Sequence, residues 1–143
     1  MSFGDTALGD PAEQNRRTDV MQVSVPVSAA APAAARRAVA GWLSARGSDH
    51  VLVDAPLVVS ELVTNSVRHA RLSDGAMVRI SAQLAEGVLR LEVEDPGTEG
   101  AVVQRRPDDD RGGGFGLNVV DALATRWGVQ RSGATLLWAE FGC

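Results

Sequence analysis

Glu61-Leu62-Val63-Thr64-Asn65-Ser66-Val67-Arg68-His69-Ala70 places a carboxylate, an amide and an imidazole at successive i, i+4 steps inside an otherwise apolar helical run. At 3.6 residues per turn, Glu61, Asn65, Arg68 and His69 share one face, and Val59, Leu62, Val63, Val67 and Ala70 fall on the other. A solvated helix face usually carries long charged side chains in no special order. A short Asn one turn after a Glu suits a coordination site better, with an exposed polar face as the competing reading.

Outward from this helix, the flanking segments are short and periodic. Val20 to Val25 alternates loosely and reads as a first strand. Ser28 is placed to cap an Ala-rich helix carrying Ala30, Ala34, Ala38 and Trp42 that ends near Gly47, with Pro32 in its first turn. Asp54 reads as the N-cap of the Glu61 helix, with Pro56 in the first turn. Val78, Ile80, Ala82 and Leu84 alternate with polar residues. So do Leu89, Leu91 and Val93, and Glu86-Gly87 between them makes a hairpin. Residues 96 to 114 form a long polar, Gly-rich segment of the kind that is functional or mobile in a compact domain. A helix over about Phe115 to Thr125 follows, then a short strand, Trp127-Gly128-Val129-Gln130, and a last strand from Thr135 to Phe141. This order predicts an α+β sandwich rather than a doubly wound sheet. Residues 1–18 are expected to be a flexible tail and 19–143 a single domain.

Composition removes several classes of function. The chain has 143 residues, 45% of them hydrophobic, which is enough for a real core. Its net charge of −4 argues against non-specific nucleic-acid binding. All 14 basic residues are Arg. A Walker-A loop needs its Lys, so that type of phosphate site is excluded. The lone Cys143 allows no intrachain disulfide and no thiolate metal site. No apolar run approaches ~18 residues and no signal-peptide pattern opens the chain, so no membrane association and a cytoplasmic location are expected.

Four further features carry chemistry. Asp95 continues the inward parity of Leu89, Leu91 and Val93, so its carboxylate should point to the covered side where the strand ends. Burial there requires a partner, which a ligand N–H could supply. An Asx-turn before Pro96-Gly97 is the alternative. Gly112, Gly114 and Gly116 run into a helix at Leu117. Free N–H groups there would cradle a phosphate, or the glycines would serve as a hinge. Asn65 offers a neutral oxygen ligand for Mg²⁺, and Glu61 could accept a proton from an attacking hydroxyl. Thr135 shares inward parity with Leu137, Ala139 and Phe141, either for β-propensity or to bond Asp95 or a base edge. His69 reads as a packing residue. With His50 far away in sequence, zinc is improbable.

Taken in order, these motifs are Glu-x-x-x-Asn-x-x-x-His-Ala, Asp95-x-Gly97, Gly112-x-Gly114-x-Gly116-Leu117 and Gly133-x-Thr135. The series resembles the GHKL ATPase superfamily over roughly residues 20 to 141. Within it, residues 59 to 70 are most similar to stand-alone anti-sigma-factor serine/threonine kinases. The resemblance implies a two-layer α/β sandwich with a mixed, mostly antiparallel sheet and helices on one face. It implies ATP and Mg²⁺ as ligands, with Asn65 holding the metal and Glu61 acting as catalytic base. Asp95 and Gly97 would form the adenine-binding box, with Thr135 beside it. Gly112, Gly114, Gly116 and Leu117 would form the phosphate-wrapping box, and residues about 98–111 an ATP lid with Arg105, Arg106 and Arg111 as cationic candidates. The implied activity is transfer of the ATP γ-phosphate to a Ser or Thr of an antagonist protein by a protein that also binds a sigma factor. Dimers are usual in that family. The first glycine box is often Asp-x-Gly-x-Gly, whereas Asp95-Pro96-Gly97-Thr98-Glu99 lacks the second glycine. A non-catalytic, nucleotide-gated binding module is therefore the alternative.

Overall fold

Alternation builds the sheet. In the strand Val88–Asp95 every second residue is buried, from Leu89 through Leu91 and Val93 to Asp95. Its neighbour Met77–Ala85 buries Val78, Ile80 and Ala82 in the same rhythm. The two are joined by Glu86 (φ 51°) and Gly87 (φ 76°). Positive φ at both central residues is the I′ geometry whose twist matches the flanking strands.

The structure, a computed structural model, describes residues 18–69, 75–95 and 117–142. The elements are β1 (Asp19–Pro26), α1 (Ala31–Ala45), a 3₁₀ turn (Asp49–Val51), α2 (Asp54–His69), β2 (Met77–Ala85), β3 (Val88–Asp95), α3 (Leu117–Leu123), β4 (Arg126–Ser132) and β5 (Ala134–Gly142). The tail, the lid and the glycines of both boxes lie outside the described residues, except Gly133 ahead of Thr135.

The sheet order is β1-β2-β3-β5-β4. All four pairings are antiparallel, which corrects the expectation of a mixed sheet. The reason is topological. The crossover from β3 through α3 lands β4 parallel to β3 but one strand away, and β5 fills the gap antiparallel to both.

The inward residues of all five strands join one apolar core with the helices. Fully buried Leu43, Leu62, Ile80, Leu89, Leu91 and Leu137 form its bulk. Each contributes about 1.5–3 kcal/mol relative to exposure. The helix α2 is central, packing against α1 and α3 on its flanks and against β3 and β5 beneath.

Two details of α1 differ from expectation. Ser28 does not cap it. The Ser28 hydroxyl accepts the Ala30 N–H (3.2 Å) in the turn before, and Ala30 holds the N-cap position. The buried stripe is Ala31, Ala35, Val39 and Leu43, one residue on from the Ala30–Trp42 series. The helix ends as expected at Gly47. With φ at 67°, Gly47 lets the Ser48 N–H reach Leu43 O (3.1 Å) and its own N–H reach Ser44 O (3.1 Å), a Schellman motif.

The other face of the sheet is polar and self-paired. Arg90 donates to Glu92 (2.7 Å) and to Glu140 (2.9 Å), Glu140 also accepts from Arg126, and Arg79 pairs with Glu94 at 3.2 Å. The Arg90 guanidinium lies over the Trp138 ring, 4.4 Å from its centroid. These bonds hold the Glu140 carboxyl below the usual glutamate range, with the hydrogen bond from Arg90 as the largest cause. No helix among the described residues is long and apolar enough to cross a membrane.

Candidate functional site

Two neighbouring strands bring two of the sequence-predicted polar residues together at one end of the sheet. Asp95 is the last residue of β3 and Thr135 stands directly across from it near the start of β5. The start of β2 lies beside the same end of β3, where Arg79 faces Glu94. The helix α2 packs against β3 and β5, the strands that carry Asp95 and Thr135.

Asp95 is 3% exposed, an unusual burial for a carboxylate. Strand parity puts it on the helix-facing side, in series with Val93 and Leu91. Its neighbour Glu94 points the other way, to the polar face. An open cavity lined by Ser24, Met77, Arg79 and Glu94 lies on that polar face, so the sheet itself separates it from Asp95. Thr135 is half-buried and keeps the parity of buried Leu137, Ala139 and Phe141. Opposed residues in an antiparallel pair have Cβ atoms about 4.5–5.5 Å apart, so the Thr135 hydroxyl and the Asp95 carboxylate are neighbours.

On α2 the structure divides the expected polar face. Arg68 is exposed and Glu61 half-buried, but Asn65 is 1% exposed. The cause is the position of α2. A helix enclosed by the sheet below and a helix on each flank buries a wider arc than one packed on a single side. Asn65 falls on the margin of that arc, one turn past Glu61, so its amide is sheltered while Glu61 stays accessible. Asp54 stands within the first turn of α2 rather than ahead of it.

Leu117, 6% exposed, opens α3 and packs in the core. The helix ends at Leu123, two residues before the expected Thr125. Thr125 instead accepts the Gly142 N–H through its hydroxyl (3.0 Å) and donates its own N–H to Glu140 O (2.8 Å). Gly97, Arg111, Gly112, Gly114 and Gly116 lie outside the described residues.

Sequence reasoning missed Ser66. It is 1% exposed, and its Oγ has no hydrogen-bond partner. A signal was present: Ala55, Val59, Leu62 and Ser66 follow helical spacing, so Ser66 occupies a core position of the stripe.

A sheltered carboxylate can accept N–H donors, and a hydroxyl stands beside it. A hard amide oxygen and a second, accessible carboxylate lie one turn apart on the helix above. Residues 25–140, well over half of the chain, match the histidine kinase-like ATPase domain. The chain is also similar to Serine-protein kinase RsbW of Staphylococcus aureus strains JH9, Newman and Mu3 / ATCC 700698. It is 26% identical to each over 140 residues, covering 87% of this chain and 88% of the relative. With more than half of its length matched and an antiparallel α+β sandwich as its fold, the chain belongs to the histidine kinase-like ATPase domain family.

Proposed function

We propose that this protein binds ATP with Mg²⁺ and transfers the γ-phosphoryl group to a Ser or Thr hydroxyl of a protein partner, as an anti-sigma-factor-type regulator. The observation that supports it is the burial of Asp95 at a strand end, aimed into the layer beneath α2. A carboxylate oxygen accepts more than one hydrogen bond, so Asp95 can take an N–H donor of a ligand at this strand end. The exocyclic amino group of adenine is a donor that fits an apolar slot with Thr135 alongside.

Asn65 offers an oxygen of the kind that Mg²⁺ accepts, and its sheltered position fits an ion that shares phosphate oxygens. Bound there, the metal would neutralise charge on the phosphates. Glu61, accessible and one turn earlier, takes the proton from the attacking hydroxyl. The hydroxyl oxygen forms its bond to phosphorus as the bond to the β-phosphate oxygen breaks, and ADP leaves with that electron pair. Gly112, Gly114 and Gly116 donate backbone N–H groups to the phosphates, and Arg111 adds positive charge in a chain without Lys. The similarity to a serine-protein kinase supports Ser or Thr as acceptor. A sigma factor and an antagonist protein are the partners proposed.

Labelled ATP incubated with the antagonist protein tests this. Glu61→Gln should lower phosphate transfer at least ~100-fold, the usual weight of a general base, while ATP binding persists. Transfer at the wild-type rate would remove Glu61 from this role. A second reading, nucleotide-gated binding without transfer, is favoured by Glu99 at the position of the missing glycine. Saturable ATP binding with no phosphoprotein formed over hours would select it.

A further inference from the structure

We infer that Ser66 is a specificity-determining residue for the nucleotide base, its hydroxyl hydrogen-bonding an acceptor nitrogen of adenine next to the amino group that Asp95 accepts. This rests on the ATP reading above and adds to it a residue that neither the motifs nor the comparisons single out.

The observation is a contrast among the hydroxyls of one helix. Ser60 Oγ donates to Leu57 O and Thr64 Oγ1 to Ser60 O, each at 2.8 Å. Such back-bonding is how a helical Ser or Thr satisfies itself. The Ser66 Oγ, in the same helix on a residue 1% exposed, has no hydrogen-bond partner. A buried hydroxyl without a partner is costly, and a native protein keeps one where something else completes it. Its stripe mates Ala55, Val59 and Leu62 are all at 0% exposure, and Ser66 continues that series toward the end of α2. The strands under α2 are β3 and β5, which carry Asp95 and Thr135. Ser66 therefore adds a donor to a wall that already has a carboxylate acceptor. Adenine presents that complement, an N–H donor beside a ring-nitrogen acceptor. Guanine presents an oxygen where adenine has its amino group, and would meet Asp95 acceptor to acceptor.

Ser66→Ala separates this role from a structural one because the two effects have opposite signs. Without ligand, the variant loses only an unpartnered polar group, so its melting temperature stays at the wild-type value or rises. With ligand, one hydrogen bond is lost, and affinity for Mg·ATP and for Mg·ADP falls about fivefold each, since both carry the same base. Calorimetry with each nucleotide and thermal melts of the ligand-free proteins give both readouts. Affinities within twofold of wild type would overturn the inference. A loss confined to ATP would move the hydroxyl to the phosphate end and overturn it too. A lowered melting temperature together with weaker binding would assign the hydroxyl to the fold. If the wild-type protein binds neither nucleotide, the ATP reading itself fails and Ser66 with it. If the wild type binds and Ser66→Ala is unchanged, only the Ser66 inference fails.

Discussion

Gly128→Ala probes how the polar face of the sheet is held. Gly128 on β4 faces Trp138 on β5 across the ladder. A Cβ built on Gly128 would sit 2.8 Å from Cζ2 and Nε1 of the Trp138 indole and 2.9 Å from Cε2. Carbon contacts settle near 3.5–4.0 Å, so the ring or the strand must retreat by about 0.7–1.2 Å. The ring is not free to do so. The Arg90 guanidinium stacks over it, and Arg90 is fixed by Glu92 and Glu140. Overpacking of this kind costs about 1–3 kcal/mol, and loosening the cation–π contact adds about 0.5–1 kcal/mol. Against this, Ala restricts the unfolded chain by about 0.4–1 kcal/mol in the favourable sense. The net expectation is a loss of about 1–3 kcal/mol, read as a lower urea midpoint by tryptophan fluorescence with an unchanged m-value. Trp138→Leu should relieve the clash. The double variant Gly128→Ala/Trp138→Leu is then more stable than the sum of the single losses by about 0.5–3 kcal/mol. A Gly128→Ala protein at least as stable as wild type, or strict additivity in the double variant, would refute the argument.

Two other perturbations have determined signs. Glu86 holds φ at 51° in the β2–β3 turn, where Asn is better tolerated than Glu. Glu86→Asn should stabilise by about 0.5–1 kcal/mol in urea melts, and a destabilised variant would contradict the I′ geometry. The Glu140 carboxyl lies below its ordinary range because Arg90 and Arg126 bond it. Its contribution is full above the unfolded pKa and is lost as pH falls through the folded one. Wild type should therefore lose more stability than Glu140→Gln between about pH 6 and about pH 3, and equal losses would show that the Arg90–Glu140–Arg126 ladder carries no net stability.

The sequence showed some parts of the site and concealed others, for physical reasons. The burial of Asp95 was legible because strand alternation has period two and continues through Val93 without interruption. The inward parity of Thr135 was legible on the same ground. Their pairing was not, because β3 and β5 are separated by residues 96–133 and no local signal sets a register over that distance. The helix periodicity was right for Leu62 and Val63 but placed Asn65 with exposed Arg68. The arc that α2 buries depends on α1 and α3 beside it, which the α2 sequence does not report. Ser66 escaped notice because a hydroxyl in an apolar stripe is unremarkable until its hydrogen-bond partners are sought. The strictly antiparallel sheet was hidden in the order of β4 and β5, which adjacency in sequence leaves open.

The most direct test of the nucleotide site is the thermal shift produced by Mg·ATP in wild type, Asn65→Ala and Asp95→Ala. A ligand at about 100 times its dissociation constant stabilises the native state by about 2.7 kcal/mol, so the wild-type melting temperature should rise by several degrees. Both variants should remain folded by circular dichroism and show little or none of that rise. A wild-type shift retained in Asp95→Ala would contradict the site built around this buried carboxylate.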